Sequence, residues 1–437
     1  MNQTLMFVSV WIAMFGSYAI GADEFEQPPI EYSASTPDNC ISQLQSAIDR
    51  NELTLRRDAE QGYLRDLLEK LKINHASQIL VFSKTSMQRD RIAPRTPRAI
   101  YFNDDVYVGY CHNGDVIETS IADPRLGAVF YTLDQTAKEN PRLIRQTQNC
   151  LQCHGTSQTD GIPGFLMRSL YVDGGGLPIL SEGGHRMDDA TPMEDRWGGW
   201  YVTGKLSGQS HLGNLIIRDR DAPKPWKSDA SQDVADLNDR IAASNYLTAH
   251  SDAVALMVFA HQTYVHNLIT KANFTSRQAL SYQAMFNRAI GKPESEPLES
   301  VTHRIESAGD KLVQGLLFAN EARIEQPIHG SSGFAEKFAQ IGPRDQHGRS
   351  LREFDLNTRL FKYPCSYLIY SRSFDELPPI MKTYVAKRLR EILGGSGDDA
   401  YSHLSSTDRD AISEILRETK PELWAGANDS SDAAIVK

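Results

Sequence analysis

Cys150-Leu151-Gln152-Cys153-His154 sets two thiols three residues apart with an imidazole directly behind them. In that order the sulfurs suit thioether links to the two vinyl groups on one porphyrin edge, and the adjacent histidine then presents its ring to iron from one face. The spacing therefore predicts one covalent haem c, attached at Cys150 and Cys153 with His154 as an axial iron ligand. Three other uses of the same residues compete with it. A thioredoxin-like redox pair wants a βαβ context with the first thiol opening a helix. A plain disulfide leaves His154 without a role. A zinc site needs two more donors, for which His261 and His266 have an acceptable H-x4-H spacing at a distance of more than a hundred residues.

An iron held this way has one further axial position, and its occupant decides between electron transfer and small-molecule chemistry. His211, Met187, Met193, Met167 and His261, with His266 behind it, are the distal candidates, and an open position is the alternative. His261 falls at helical spacing with Val254, Met257, Val258, Val265 and Leu268 and so faces inward, where a hydrogen-bonded core histidine is the usual occupant. Buried propionates need cations, for which Arg168, Arg196 and the loop bearing Arg89, Arg91, Arg95 and Arg98 offer themselves. Trp197, Trp200 and Tyr201 are suited to pack on a porphyrin or simply to fill a core.

The elements that must position these groups divide by pattern. One or two helices are expected between Ile41 and Leu71, and a strand at Ile79 to Phe82. Alternating β-formers then run from Ala99 to Pro124, with Asn113-Gly114 as a hairpin signal. A further strand is expected at Ala128 to Leu133. Asn140-Pro141 reads as cap and first residue of a short helix running into Cys150. A second hairpin is expected around Gly174 to Gly176, with two strands in GWYVTGKL and LIIRD. From Ser244 the period is helical: Ser251-Asp252 caps a helix to about Lys271, and others follow near Ser276 to Ile290, Val301 to Glu321, Pro378 to Leu393 and Ser406 to Glu418. This is an α+β fold, with an antiparallel-strand haem domain over 23–225, a helical domain over 226–425 and mobile stretches at GGSGDDA and 426–437.

The chain has 437 residues, 46 Lys+Arg against 56 Asp+Glu, and a net charge of −10, which argues against a nucleic-acid partner. Leu5 to Ala22 carries no charged side chain and is followed by Asp23, Glu24 and Glu26. It reads as a signal peptide over 1–22, although Ile20 at the minus-three position and an n-region without Lys or Arg fit cleavage only in part. The other reading is an uncleaved anchor with membrane association at the N-terminus. Either way the body lies in the periplasm or otherwise outside the cytoplasm. Cys40, Cys111 and Cys365 leave an odd thiol over, and no disulfide is expected.

The motif CLQCH resembles the c-type cytochromes. More widely, VYVGY, DQT, CLQCHG, RWGGWYVTG, SDAVALMVFAHQ and GRSLREFDLNTRLFKYPCSYLIYS resemble a family of exported, single-haem bacterial proteins of unassigned activity, which implies export and haem more than mechanism. The order of hairpin, motif and three strands is similar to PAS-like haem-c sensor domains, from which the helical half departs. These likenesses imply an electron carrier with an unidentified redox partner protein. The alternatives are a haem-dependent oxidoreductase or peroxidase, although the di-haem peroxidases carry two such motifs, and a redox or gas sensor.

Overall fold

The computed structural model describes residues 24–137, 141–222, 224, 226, 233–396 and 399–425. The expected signal peptide and the 426–437 tail lie outside the described residues, as do Asn140 and parts of the 221–229 boundary and of the GGSGDDA stretch.

Six strands form one antiparallel meander whose order in space is their order in sequence: β1 (Ile79–Val81), β2 (Arg98–Phe102), β3 (Val106–Tyr110), β4 (Val116–Asp123), β5 (Gly127–Asp134) and β6 (Leu143–Gln146). The Asn113-Gly114 turn joins β3 to β4 as its residue types predict. Asn113 adopts φ 55, and a Cβ on Gly114 would stand 2.9 Å from the Cys111 carbonyl oxygen. A second pair, β7 (Arg168–Leu170) and β8 (Gly184–Arg186), follows a single-turn helix, α3 (Leu151–His154). Two helices precede the sheet, α1 (Cys40–Asp49) and α2 (Leu64–Lys70).

The remaining helices are α4 (Ala253–Ala289), α5 (Glu299–Leu316), α6 (Phe334–Ala339), α7 (Arg372–Asp375), α8 (Pro379–Glu391) and α9 (Ser406–Thr419). Asp252 caps α4: one carboxylate oxygen accepts from the amides of Val254 and Ala255, and the other from those of Ser331 and Ser332. Polar side chains on α4 reach the sheet. Gln262 donates to the Tyr107 hydroxyl at 2.8 Å and to the Asn103 carbonyl at 2.7 Å, while Tyr107 bonds to His266 Nδ1 at 3.0 Å. Helix α4 thus braces the strands while its other side packs on α5, where Gly315 leaves room for Leu268.

Several expectations need correction. LIRQ is not a helix but strand β6, paired with β5 from Phe130↔Gln146 to Leu133↔Leu143. GWYVTGKL and LIIRD are extended but form only isolated bridges: Trp200 pairs with Val81 at the end of β1, while Lys205 pairs with His329 and Ile217 with Asp173 in loops, so neither segment continues into a ladder. The hairpin expected around the glycine triplet is present but short: Val172 bridges Pro178 antiparallel and the Ile179 amide donates to the Tyr171 carbonyl, while the preceding residues of β7 take β8 as their partner. Helix α4 does not stop at Lys271: no Gly or Pro interrupts 253–289, and the two expected helices are one.

Candidate functional site

Helix α3 is one turn long and carries the motif. Leu151 is buried and anchors it, Cys150 is half-buried and Cys153 is exposed. Each thiol is free, and burial pushes the Cys150 thiol up to about 11.

His154 is held on one side only. Its Nδ1 lies 2.9 Å from the Gly164 carbonyl oxygen. A carbonyl only accepts, so Nδ1 carries the proton and Nε2 is left with a free lone pair. The Gly164 amide in turn donates to the His154 carbonyl at 2.8 Å, closing a bracket between the two residues. Burial holds the imidazole pKa below its ordinary value, against the pull of the Gly164 hydrogen bond, so the ring is neutral. The Phe130 ring packs against it at 4.9 Å between centroids.

The carbonyl that orients His154 is itself oriented by α4. Asn267 Oδ1 accepts from the Phe165 amide and Asn267 Nδ2 donates to the Phe165 carbonyl, both at 2.8 Å. Gly164 lets this clamp close: a Cβ there would stand 2.7 Å from Asn267 Oδ1. Such outer support, which fixes tautomer and ring direction, is characteristic of histidines that ligate metal.

A cavity of about 640 Å³ opens beside the motif, within the roughly 300–1,000 Å³ usual for cofactor sites. Strands β2 to β5 form one wall, Phe165, Leu166, Arg168 and Trp200 another, Phe259 and Thr263 of α4 its base, and residues between Ser83 and Asp90 its rim; Cys150, Cys153 and His154 all line it. The wall is cationic in a chain of net negative charge. Arg98 is paired with Glu118 across Gly109, where a Cβ would collide with the guanidinium. Among the described residues, Lys84, Arg89 and Arg168 have no carboxylate within salt-bridge distance. The site could hold a flat, largely apolar group bearing carboxylates, with Phe130, Phe165, Trp200 and Phe259 for its faces.

The distal candidates lie elsewhere. His261 is engaged at both nitrogens, Nδ1 donating to Asp189 Oδ2 at 2.9 Å and Nε2 bonding to the Ser366 hydroxyl at 2.8 Å, and is stacked on Phe318. His211 is buried against Trp197, and His266 bonds to Tyr107. Met187 Sδ accepts from the Trp197 amide at 3.2 Å. Met167 is buried between the cavity residues Leu166 and Arg168 and so faces the opposite way. Met193 is half-buried and packs on the core. None of the six is among the residues lining the cavity.

Of the cations named from sequence, Arg89, Arg98 and Arg168 line the cavity; Arg196 is buried away from it, donating to the Thr191 and Asp189 carbonyls. Trp200 is in the wall, whereas Trp197 and Tyr201 are core. Cys111 and Cys365 are buried, and burial pushes both thiols up to about 12; Cys40 is exposed.

Sequence reasoning missed Met87. It is 57% exposed on the cavity rim and is the only thioether among the lining residues, where His154 is the only imidazole. The signal that could have found it is the long loop between β1 and β2, which carries SKTSMQRDR past the sheet edge. Among the described residues, no cluster of three His, Cys, Asp or Glu side chains suited to a bare metal ion occurs, and neither His261 nor His266 is among the residues lining the cavity. No family model, curated protein or solved structure matches the chain.

Proposed function

We propose that the chain is an exported c-type cytochrome carrying one haem, joined to Cys150 and Cys153 and ligated by His154 Nε2, that moves single electrons. The observation that carries this reading is the His154 bracket. One ring nitrogen is locked on the Gly164 carbonyl by a clamp from another helix, and the other is free beside a cavity lined by both motif thiols.

When bound, the haem supplies a reversible one-electron couple. The chain's own residues do the rest. Arg168, Arg89 and Lys84 would hold the propionates, Phe130, Phe165, Phe259 and Trp200 would keep water from the ring, and Met87, the thioether among the lining residues, would offer a second iron ligand. A carrier of this kind needs a redox partner protein, for which the exposed Cys153 edge is the nearest approach.

The deciding experiment is an absorption spectrum of the reduced protein, matured in a host that attaches haem, with and without carbon monoxide, beside a haem stain after denaturing electrophoresis. The expected result is a stained band and a six-coordinate, low-spin spectrum that carbon monoxide leaves unchanged, with Met87→Ala gaining carbon monoxide binding. Absence of a covalent adduct by mass would overturn the haem. Carbon monoxide binding by the unaltered protein would instead shift the reading to a haem-dependent oxidoreductase or peroxidase, or to a PAS-like gas sensor.

A further inference from the structure

The last turns of α4 expose Tyr282, Met285, Phe286 and Ile290, spaced i, i+3, i+4 and i+8 and so on one face of the helix; Met285 is 62% exposed. Tyr282 and Phe286 stack on each other at 6.0 Å. Four neighbouring apolar side chains form a continuous patch rather than scattered exposure.

The same face, one turn earlier, holds the start of the described chain. Gln278 Nε2 donates to the Glu24 carbonyl at 3.3 Å, and Arg277 donates to the Pro29 carbonyl at 2.9 Å. There is no slack at this point. Phe25 is 1% exposed, with its ring edge-on to Tyr32, and a Cβ on Gly155 would stand 3.0 Å from its ring. Directly before Glu24 the sequence runs uncharged from Leu5 to Ala22. That run is long enough to span a bilayer's hydrocarbon, since about 18 residues at 1.5 Å each cover about 27 Å. Its flanks fit cleavage poorly, as Ile20 stands where a small residue is preferred and no Lys or Arg precedes it.

We propose that residues 5–22 remain attached as a membrane anchor and that the Tyr282–Met285–Phe286–Ile290 face of α4 rests in the headgroup region of the same bilayer. An anchor that ends two residues before the docked Glu24 leaves the stripe within about 10–20 Å of the membrane surface. Tyr282 is suited to that interface, where an aromatic body meets lipid and a polar tip meets water, and Phe286 and Ile290 add apolar surface for lipid to bury. The attraction is apolar: the nearby Arg288 and Lys292 are already paired with Glu294 and Glu296. It therefore needs no anionic lipid and survives high salt. This inference does not depend on the haem.

The test uses the full chain reconstituted in phosphatidylcholine vesicles. Met285→Trp places a reporter in the stripe, and Ile380→Trp, 39% exposed on α8, places one away from it. The added Met285→Trp fluorescence is expected to shift to the blue in vesicles, to be quenched at least twofold by lipid brominated near the glycerol end of its acyl chains, and to be indifferent to 1 M salt, with Ile380→Trp unaffected. Equal quenching of the two reporters by aqueous iodide, with no effect of brominated lipid, would overturn the proposal. So would concentration-dependent dimers that shield Met285→Trp without lipid, or a mature N-terminus beginning at or after Asp23.

Discussion

Two histidines of this chain differ in what they leave free. His154 has one nitrogen on the Gly164 carbonyl and the other free at a cavity, whereas His261 has both nitrogens engaged, by Asp189 and Ser366. The second set has the residue types and distances of a nucleophile, base and orienting acid. It is sealed: Ser366 and His261 are 0% exposed, and the serine hydroxyl also caps the turn that begins at Leu368. Residue types and distances thus fail to distinguish the two sites. A vacant valence facing open volume does.

The largest effect that would break this comparison is expected from Cys150→Ser with Cys153→Ser, which should abolish the covalent pigment, while Ser366→Ala leaves its yield within twofold; a haem stain on both reads the difference. Next, His154→Ala should keep the thioether-bound pigment but lose the normal axial field, whereas His261→Ala should keep the spectrum and lose about 3 kcal/mol of stability, since Asp189 and Ser366 are left buried without their partner. Denaturant unfolding followed by absorption checks both. Asn267→Ala sharpens the comparison at intermediate size: it frees the Phe165 backbone groups, costing about 1–3 kcal/mol, and should alter the spectrum as the corresponding loss at His261 does not.

The last effect concerns pH. Burial lowers His211 to about 4 and His266 to about 3 from their ordinary 6.5. Between about 6.5 and 4 the unfolded chain binds protons that the folded chain refuses, so these two groups contribute stability that falls with falling pH, by at most about 1.4 kcal/mol per unit for each. His211→Phe should flatten that slope in a melting series from pH 7 to pH 4.5.

The meander was legible because β-former alternation and Asn113-Gly114 act locally, and the cap at Asp252 likewise announced α4. Strand β6 was not. Asn140-Pro141 is a sound helix opening, but Leu143–Gln146 finds the open edge of β5, and pairing there outweighs local preference. The break expected after Lys271 followed the more polar composition of that stretch, although polarity alone does not end a helix when its backbone bonds continue. Within the site, the motif could be read directly, since its two thiols and imidazole are adjacent in sequence. Most of the facing wall could not: Met87, Glu118 and Phe259 meet only once the strands and α4 have come together.

The Asn267 clamp reaches across 102 residues of sequence. During synthesis the two motif thiols emerge well before the helix whose side chain holds the Gly164–Phe165 peptide, so a nascent chain ending short of α4 has both thiols without the clamp behind their neighbouring imidazole. On the proposed function, joining the haem and orienting its histidine would therefore be separable events, with the downstream half serving as the jig.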